Sequence, residues 1–303
     1  MNIVMTCPFK LGDALLTFPI LEALRARHTN VHITFVGNPA VLPLAQAWHI
    51  AEEVHEFDKH WRKLFSENIV RRSHRRNLLQ QTDLALGWPT NAGSMAKQNL
   101  LNAGAKKVII FEPPDDAKTH VVEHLAKLVG EQPIKPESIV LPNTGSSGFH
   151  LYNPPIALHP GCAEYRRWPA SSFSALIDSL LSLRHTILLL GGPTEAELLK
   201  TVQQHLSTSP EKELLTVLNN APFLEVAQHL KQCGCFVGHD TGTSHLAGLL
   251  GIPTLVLFGP SNPFLWRPLG PTVEVIQQEP LAQLSVDIVL EHIRRAYNSH
   301  HQT

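Results

Sequence analysis

Residues Phe236 to Ala247 read F-V-G-H-D-T-G-T-S-H-L-A, and this stretch decides the fold. An apolar, strand-like run stops at Asp240-Thr241-Gly242, and a helix pattern begins with Thr243-Ser244-His245. A plain helix cap needs a single Ser, Thr or Asp. Here six polar or glycine residues stand in a row between two apolar runs. The pattern predicts a strand, a tight turn and a helix start. The turn offers hydroxyls, backbone N–H groups and the positive end of a helix to an anion. Asp240, Thr241, Gly242, Thr243, Ser244 and His245 are therefore candidate anion-binding residues.

Working outward, the same strand-then-helix unit repeats through the second half. Strand-like runs start at Ile156, Thr186, Leu214, Cys235 and Thr254, with helix patterns near 170–183, 194–205, 222–231 and 243–250. That alternation predicts a doubly wound parallel sheet. A last helix pattern runs from Leu281 to Tyr297. The first half alternates too. Strand-like runs cover Ile3 to Thr6, Val31 to Val36, Leu84 to Leu86 and Val108 to Phe111, with helix patterns over 13–27, 41–48 and 120–129. The breaker-rich segment Pro142 to Pro155 predicts an interdomain linker.

Three further strand ends carry polar chemistry. L-G-D-A-L-L-T-F-P, Leu11 to Pro19, puts Asp13 at a helix start, either as an N-cap or as a carboxylate poised for general base work. H-P-G-C-A-E-Y-R-R-W-P, His159 to Pro169, brings Gly161, Cys162, Arg166 and Arg167 into a loop that leads to a helix. Guanidinium forks beside a helix start suit a diphosphate, and a solvated basic loop is the plain alternative. L-L-L-G-G-P-T-E, Leu188 to Glu195, ends on an acidic residue suited either to capping its helix or to accepting hydrogen bonds from a ribose.

Composition narrows the classes. The chain has 303 residues, 43% hydrophobic and 17% charged, with net charge -1, a globular balance with room for two cores. No overall basic excess points to nucleic acid. Cys7, Cys162, Cys233 and Cys235 match neither zinc-ligand nor disulfide spacing. The first residues lack the pattern of a secretory leader, and no apolar run is long enough for a membrane span. The expected location is the cytoplasm. Positive charge concentrates at His60 to Arg76, where Arg62, Lys63, Arg71, Arg72, Arg75 and Arg76 form either a solvated face or a binding patch for an anionic molecule.

Taken in order, these motifs resemble the heptosyltransferases of lipopolysaccharide core synthesis, glycosyltransferase family 9, over roughly Met1 to Gly259. The resemblance implies a GT-B architecture, an α/β fold of two Rossmann-like domains whose parallel sheets face a central cleft. An N-terminal acceptor-binding domain would span 1–148 and a C-terminal nucleotide-sugar-binding domain 149–280. Segment 281–303 would pack back on the N-terminal domain. The implied reaction is an inverting, metal-independent transfer from ADP-heptose to an inner-core sugar on an anionic, lipid-linked glycan, with no cofactor. Contact with the cytoplasmic face of the inner membrane is implied too. Asp13 matches the family's catalytic base. Arg166 takes the place of a phosphate-binding lysine in the family's K-x-W-P pattern, and the two are not equivalent at a phosphate. Gly161 and Cys162 replace small hydroxyl residues, leaving that contact to backbone groups. Glu195 matches an acidic residue that holds the nucleoside, and Asp240, Thr241, Gly242 and His245 match the donor-binding turn. Lys10, Gly12, Arg62 and Lys63 are the expected acceptor contacts. Two other readings compete: another enzyme on the same scaffold using a different nucleotide sugar, such as an epimerase, and a non-catalytic relative that binds nucleotide or glycan.

Overall fold

The computed structural model describes residues 1–70, 73–88, 93–138, 153–205 and 211–300. They fall into two compact units, Met1–Lys135 and Pro136–Thr303. The boundary expected at 148/149, and the expected linker up to residue 152, lie outside the described residues.

The first unit runs β1 (Asn2–Cys7), α1 (Leu11–Arg27), β2 (His32–Gly37), α2 (Leu42–Ala47), β3 (Glu53–Glu56), α3 (Lys59–Leu64), α4 (Arg76–Gln80), β4 (Leu84–Gly87), α5 (Gly93–Ala103), β5 (Lys107–Ile110) and α6 (Val121–Val129). Its sheet has the order β3-β2-β1-β4-β5, with every pairing parallel. From Ile3 to Cys7, β1 is buried throughout, as a strand covered on both faces must be. The strand β3 escapes sequence reading because it is short, polar and at the sheet edge, with both terminal glutamates exposed. Helix α1 begins at Leu11 rather than Asp13, and buries Leu11, Ala14, Leu15, Phe18, Leu21 and Leu24. Two residues of extra helix set Asp13 inside the first turn.

The second unit runs β6 (Ile156–His159), α7 (Ala170–Ser182), β7 (Ile187–Gly191), α8 (Ala196–His205), β8 (Leu215–Asn219), α9 (Phe223–Leu230), β9 (Cys235–His239), α10 (Gly242–Leu249), β10 (Thr254–Phe258), α11 (Pro263–Trp266), β11 (Val273–Gln277) and α12 (Val286–His300). Six parallel strands stand in the order β11-β10-β9-β6-β7-β8. The edge strand β11 is a sixth strand that its mixed V-E-V-I-Q pattern does not announce. From β6 the chain winds outward through β7 to β8, then restarts at β9 and winds the other way. The order therefore reverses between β6 and β9, and in open α/β sheets ligands bind outside the carboxyl ends at such a point.

The core of this unit joins Leu158, Trp168, Phe173, Leu176, Leu189 and Val237 to residues of the last helix, Val289, Leu290, Ile293 and Tyr297. Helix α12 lies on α7 and β9. Val289, Leu290 and Ile293 are buried there, and Tyr297 donates its hydroxyl to the Pro154 carbonyl at 2.9 Å. Helix α10 is seated by close backbone approach. A Cβ on Gly248 would stand 2.4 Å from the Leu269 carbonyl oxygen, so only glycine fits.

Candidate functional site

The strands β6 and β9 are hydrogen-bonded neighbours, with His159 opposite Gly238 at their carboxyl ends. The loop after β6 carries the two arginines, and the turn after β9 opens α10. Arg166 closes a short helical turn, Glu164–Arg166, and its Nη1 donates to Asp240 Oδ2 at 3.1 Å. Arg167 Nη2 donates to the Cys162 carbonyl at 2.7 Å, folding the loop back on itself. The Nε–H of each arginine is buried without a hydrogen-bond partner among the described residues. Arg25 and Arg75 also leave a buried Nε–H without a hydrogen-bond partner among the described residues, so what distinguishes this loop is two guanidinium groups beside the start of α10, a setting that suits an anion.

Glu195 belongs to the same cluster. Gly192 N–H and the Thr194 hydroxyl donate to its two carboxylate oxygens, at 2.8 and 2.7 Å. The carboxylate thus turns back to the G-G-P turn. A Cβ on Gly161 would lie 2.6 Å from Glu195 Cγ, which brings the β6 loop directly against this side chain. This close approach gives Gly161 its role; a strand-end glycine in the sequence is the only advance signal of it.

The D-T-G-T-S-H turn divides in two. Asp240, Thr241, Gly242 and Thr243 are half-buried at the start of α10, with Thr241 extended at the cap position and its side chain making no cap bond. The first N–H groups of the helix have no carbonyl inside it to bond. Ser244 and His245 are buried, and the Ser244 hydroxyl donates to the His239 carbonyl. Ser244 thereby ties the first turn of α10 to the end of β9.

Burial sets the protonation states. It pushes Asp240 up, against the Ser261 hydroxyl bond and the Arg166 charge that pull it down. It drives His159 to about 4, His239 to about 3 and His245 to about 4, so all three imidazoles are neutral at neutral pH. It lifts the Cys162 thiol to about 11 despite both arginines, leaving no thiolate to compete with an anion. His159 and His239 were legible only as strand ends; nothing in the sequence gives them a role.

In the first unit, Asp13 sits in the opening turn of α1, which has Lys10 at the cap position and no side-chain cap. It is therefore not the N-cap. Burial raises its carboxyl, while hydrogen bonds from the Lys10 and Asp13 N–H groups and the Lys10 charge oppose the rise. Lys10 is exposed and Gly12 half-buried beside it. Of the basic stretch, Arg62 and Lys63 are exposed on the last turn of α3, whose N-cap is Asp58. Arg75 is occupied: it bonds Asp58 Oδ2 at 2.6 Å and lies 5.6 Å over the Trp61 ring. Arg71 and Arg72 lie outside the described residues. No group of three or more His, Cys, Asp or Glu among the described residues is arranged to hold a metal, and no described helix is long and apolar enough to cross a membrane.

Comparison with known proteins finds similarity to one family over just under half of the chain. Residues 145–289 match the family model for glycosyltransferase family 9 (heptosyltransferase). The lipooligosaccharide heptosyltransferase 2 of Campylobacter jejuni is 25% identical over 280 residues, 86% of this chain and 83% of that one. Matches to two other curated heptosyltransferases take in only 33% and 44% of those proteins. Among solved structures, Escherichia coli ADP-heptose lps heptosyltransferase II superposes with TM-score 0.80 at 18% identity, over 99% of this chain and 100% of that one. Escherichia coli heptosyltransferase WaaC, solved with ADP, gives TM-score 0.74 at 18% identity over 98% and 100%. At those identities the likeness is one of fold, and that fold is the GT-B class of two parallel-sheet α/β domains.

Proposed function

We propose that this chain is a glycosyltransferase that moves a heptose from ADP-heptose to an inner-core sugar of a lipopolysaccharide precursor, a reading supported by the match of residues 145–289 to the glycosyltransferase family 9 model. The observation that supports it most is the placing of Arg166 and Arg167 beside the start of α10 at the β6/β9 reversal point. A diphosphate is the ligand such a pair of cations and a helix start would hold. Glu195, already holding two donors, has lone pairs left for a nucleoside ribose.

The reaction is a single displacement with inversion at the anomeric carbon. Asp13 takes the proton of an acceptor hydroxyl, that oxygen forms the new bond, and the bond to the β-phosphate oxygen breaks. ADP leaves with the electron pair. Arg166, Arg167 and the first N–H groups of α10 stabilise the charge that grows on the departing diphosphate, which gives a metal no necessary part. A desolvated carboxyl is a better base than an ordinary one, because its proton affinity is higher. Arg62 and Lys63 meet the negative charge of a lipid-linked acceptor, at the cytoplasmic face of the inner membrane.

The test is product formation. Purified protein with ADP-heptose and a heptose-deficient lipopolysaccharide precursor should release ADP, and a glycoside of inverted anomeric configuration should appear by NMR, with a chelator present. ADP release without acceptor, or a donor epimer in its place, would remove this reading.

A further inference from the structure

Between the two anion-binding elements lies a side chain that the proposed chemistry does not use. His239 ends β9, is 1% exposed, and touches both elements at once. Its Nε2 accepts the backbone N–H of Trp168 at 2.8 Å, the residue directly after the arginine pair. Its own carbonyl accepts the Ser244 hydroxyl in the first turn of α10. The Phe173 ring packs on the imidazole at 5.4 Å, edge to face, and limits its rotation. On the far side the Trp168 indole donates to the Leu284 carbonyl at 3.0 Å, so the end of the arginine loop is held from two directions.

We propose that His239 is the positioning residue of the donor site: one buried imidazole and its own carbonyl set the spacing between the Arg166–Arg167 loop and the start of α10, so that a diphosphate meets two prearranged anchors. This rests on the donor-site reading above. The physical need is plain. The short turn before it is closed by bonds from Arg166 N–H to Ala163 and from Arg167 N–H to Glu164, and Trp168 N–H is the next donor in line. It is buried, and an unmet buried N–H is costly. An acceptor supplied by the β9 strand end ties the loop to the neighbouring strand rather than to itself. Preorganised charge is what makes such a site effective, since the arginines need not be collected when ligand arrives.

Two conservative variants isolate the bond from bulk polarity. In His239→Gln the amide oxygen reaches the place of Nε2; in His239→Asn it falls short, near Nδ1. Both keep a buried amide and the backbone carbonyl that Ser244 uses. ADP binding is measured by calorimetry on the full chain, alongside melting temperature. The expected result is near-native ADP affinity for His239→Gln and a loss of about tenfold or more for His239→Asn, the cost of ordering a displaced arginine loop when ligand arrives. Equal affinities for the two variants would overturn the inference, as would a melting-temperature loss in His239→Asn with unaltered affinity. A wild-type chain that binds no ADP is a separate outcome: it removes the donor-site reading, and this inference with it.

Discussion

Arg166 and Asp240 meet at 3.1 Å across 74 residues of sequence, one from the loop after β6 and the other from the turn after β9. Those two strands are where the winding direction of the sheet reverses. The ion pair is half-buried, so its geometry matters more than its net contribution to stability. It holds one guanidinium beside the start of α10, while Arg167 is held by its own bond to the Cys162 carbonyl.

Asp13 gives a prediction with two signs. Burial raises its carboxyl above the ordinary 3.8, so the folded chain holds that proton more tightly than the unfolded one does. Stability contributed by this group is therefore lost as pH rises from about the unfolded value through the raised one. At neutral pH the charged form is a burden, and Asp13→Asn should raise the melting temperature. The same change should lower turnover by about a hundredfold or more, with ADP affinity intact. In the native protein the acid limb of the rate profile should lie above the ordinary carboxylate range. A variant that is fully active, or one destabilised at neutral pH, contradicts this account of Asp13.

Gly161 and Glu195 should behave as a unit. A methyl group at 161 would sit 2.6 Å from Glu195 Cγ, so Gly161→Ala must displace the carboxylate or the loop. Nucleotide affinity should fall in Gly161→Ala and in Glu195→Ala, and the double variant should lose much less than the sum of the two. Strict additivity in ADP titrations would show that the contact plays no part in binding.

The basic residues near α3 should separate into two kinds. Arg62→Glu with Lys63→Glu should raise the acceptor KM and leave donor affinity unchanged, since both side chains are exposed and free of ion pairs among the described residues. Arg75→Ala should act on stability, because its guanidinium bonds the carboxylate that caps α3. That loss should be on the order of 1 kcal/mol in urea titration. Acceptor kinetics indifferent to the double reversal would dismiss the patch.

Much of this was legible because each motif sits where a buried strand stops. The runs I-A-L-H, T-I-L-L-L-G-G and C-F-V-G-H are continuous apolar stretches, a pattern that central parallel strands share, and all three became β6, β7 and β9. The edge strand β3 carries Glu and His, and β11 carries Glu, at positions open to water, so they lack that signal. The expected donor residues lie at strand ends of the second unit, but what each one touches there was hidden. Ser244 and His245 look like open ligand groups in sequence and are buried in the fold. Conversely, Gly161 and His239 gain their roles from what lies across from them, Glu195 and Trp168, and contacts at that separation leave no local trace.

The central claim is that the loop after β6 and the turn after β9 together bind a nucleoside diphosphate. Titration of ADP into the native chain and into Arg166→Ala, by calorimetry at fixed ionic strength, tests it most directly. The account predicts saturable one-to-one binding to the native chain and a loss of at least about tenfold in the variant, the usual cost of a charged hydrogen bond to phosphate. Native protein that takes up no ADP, or a variant that binds it equally well, would contradict the account.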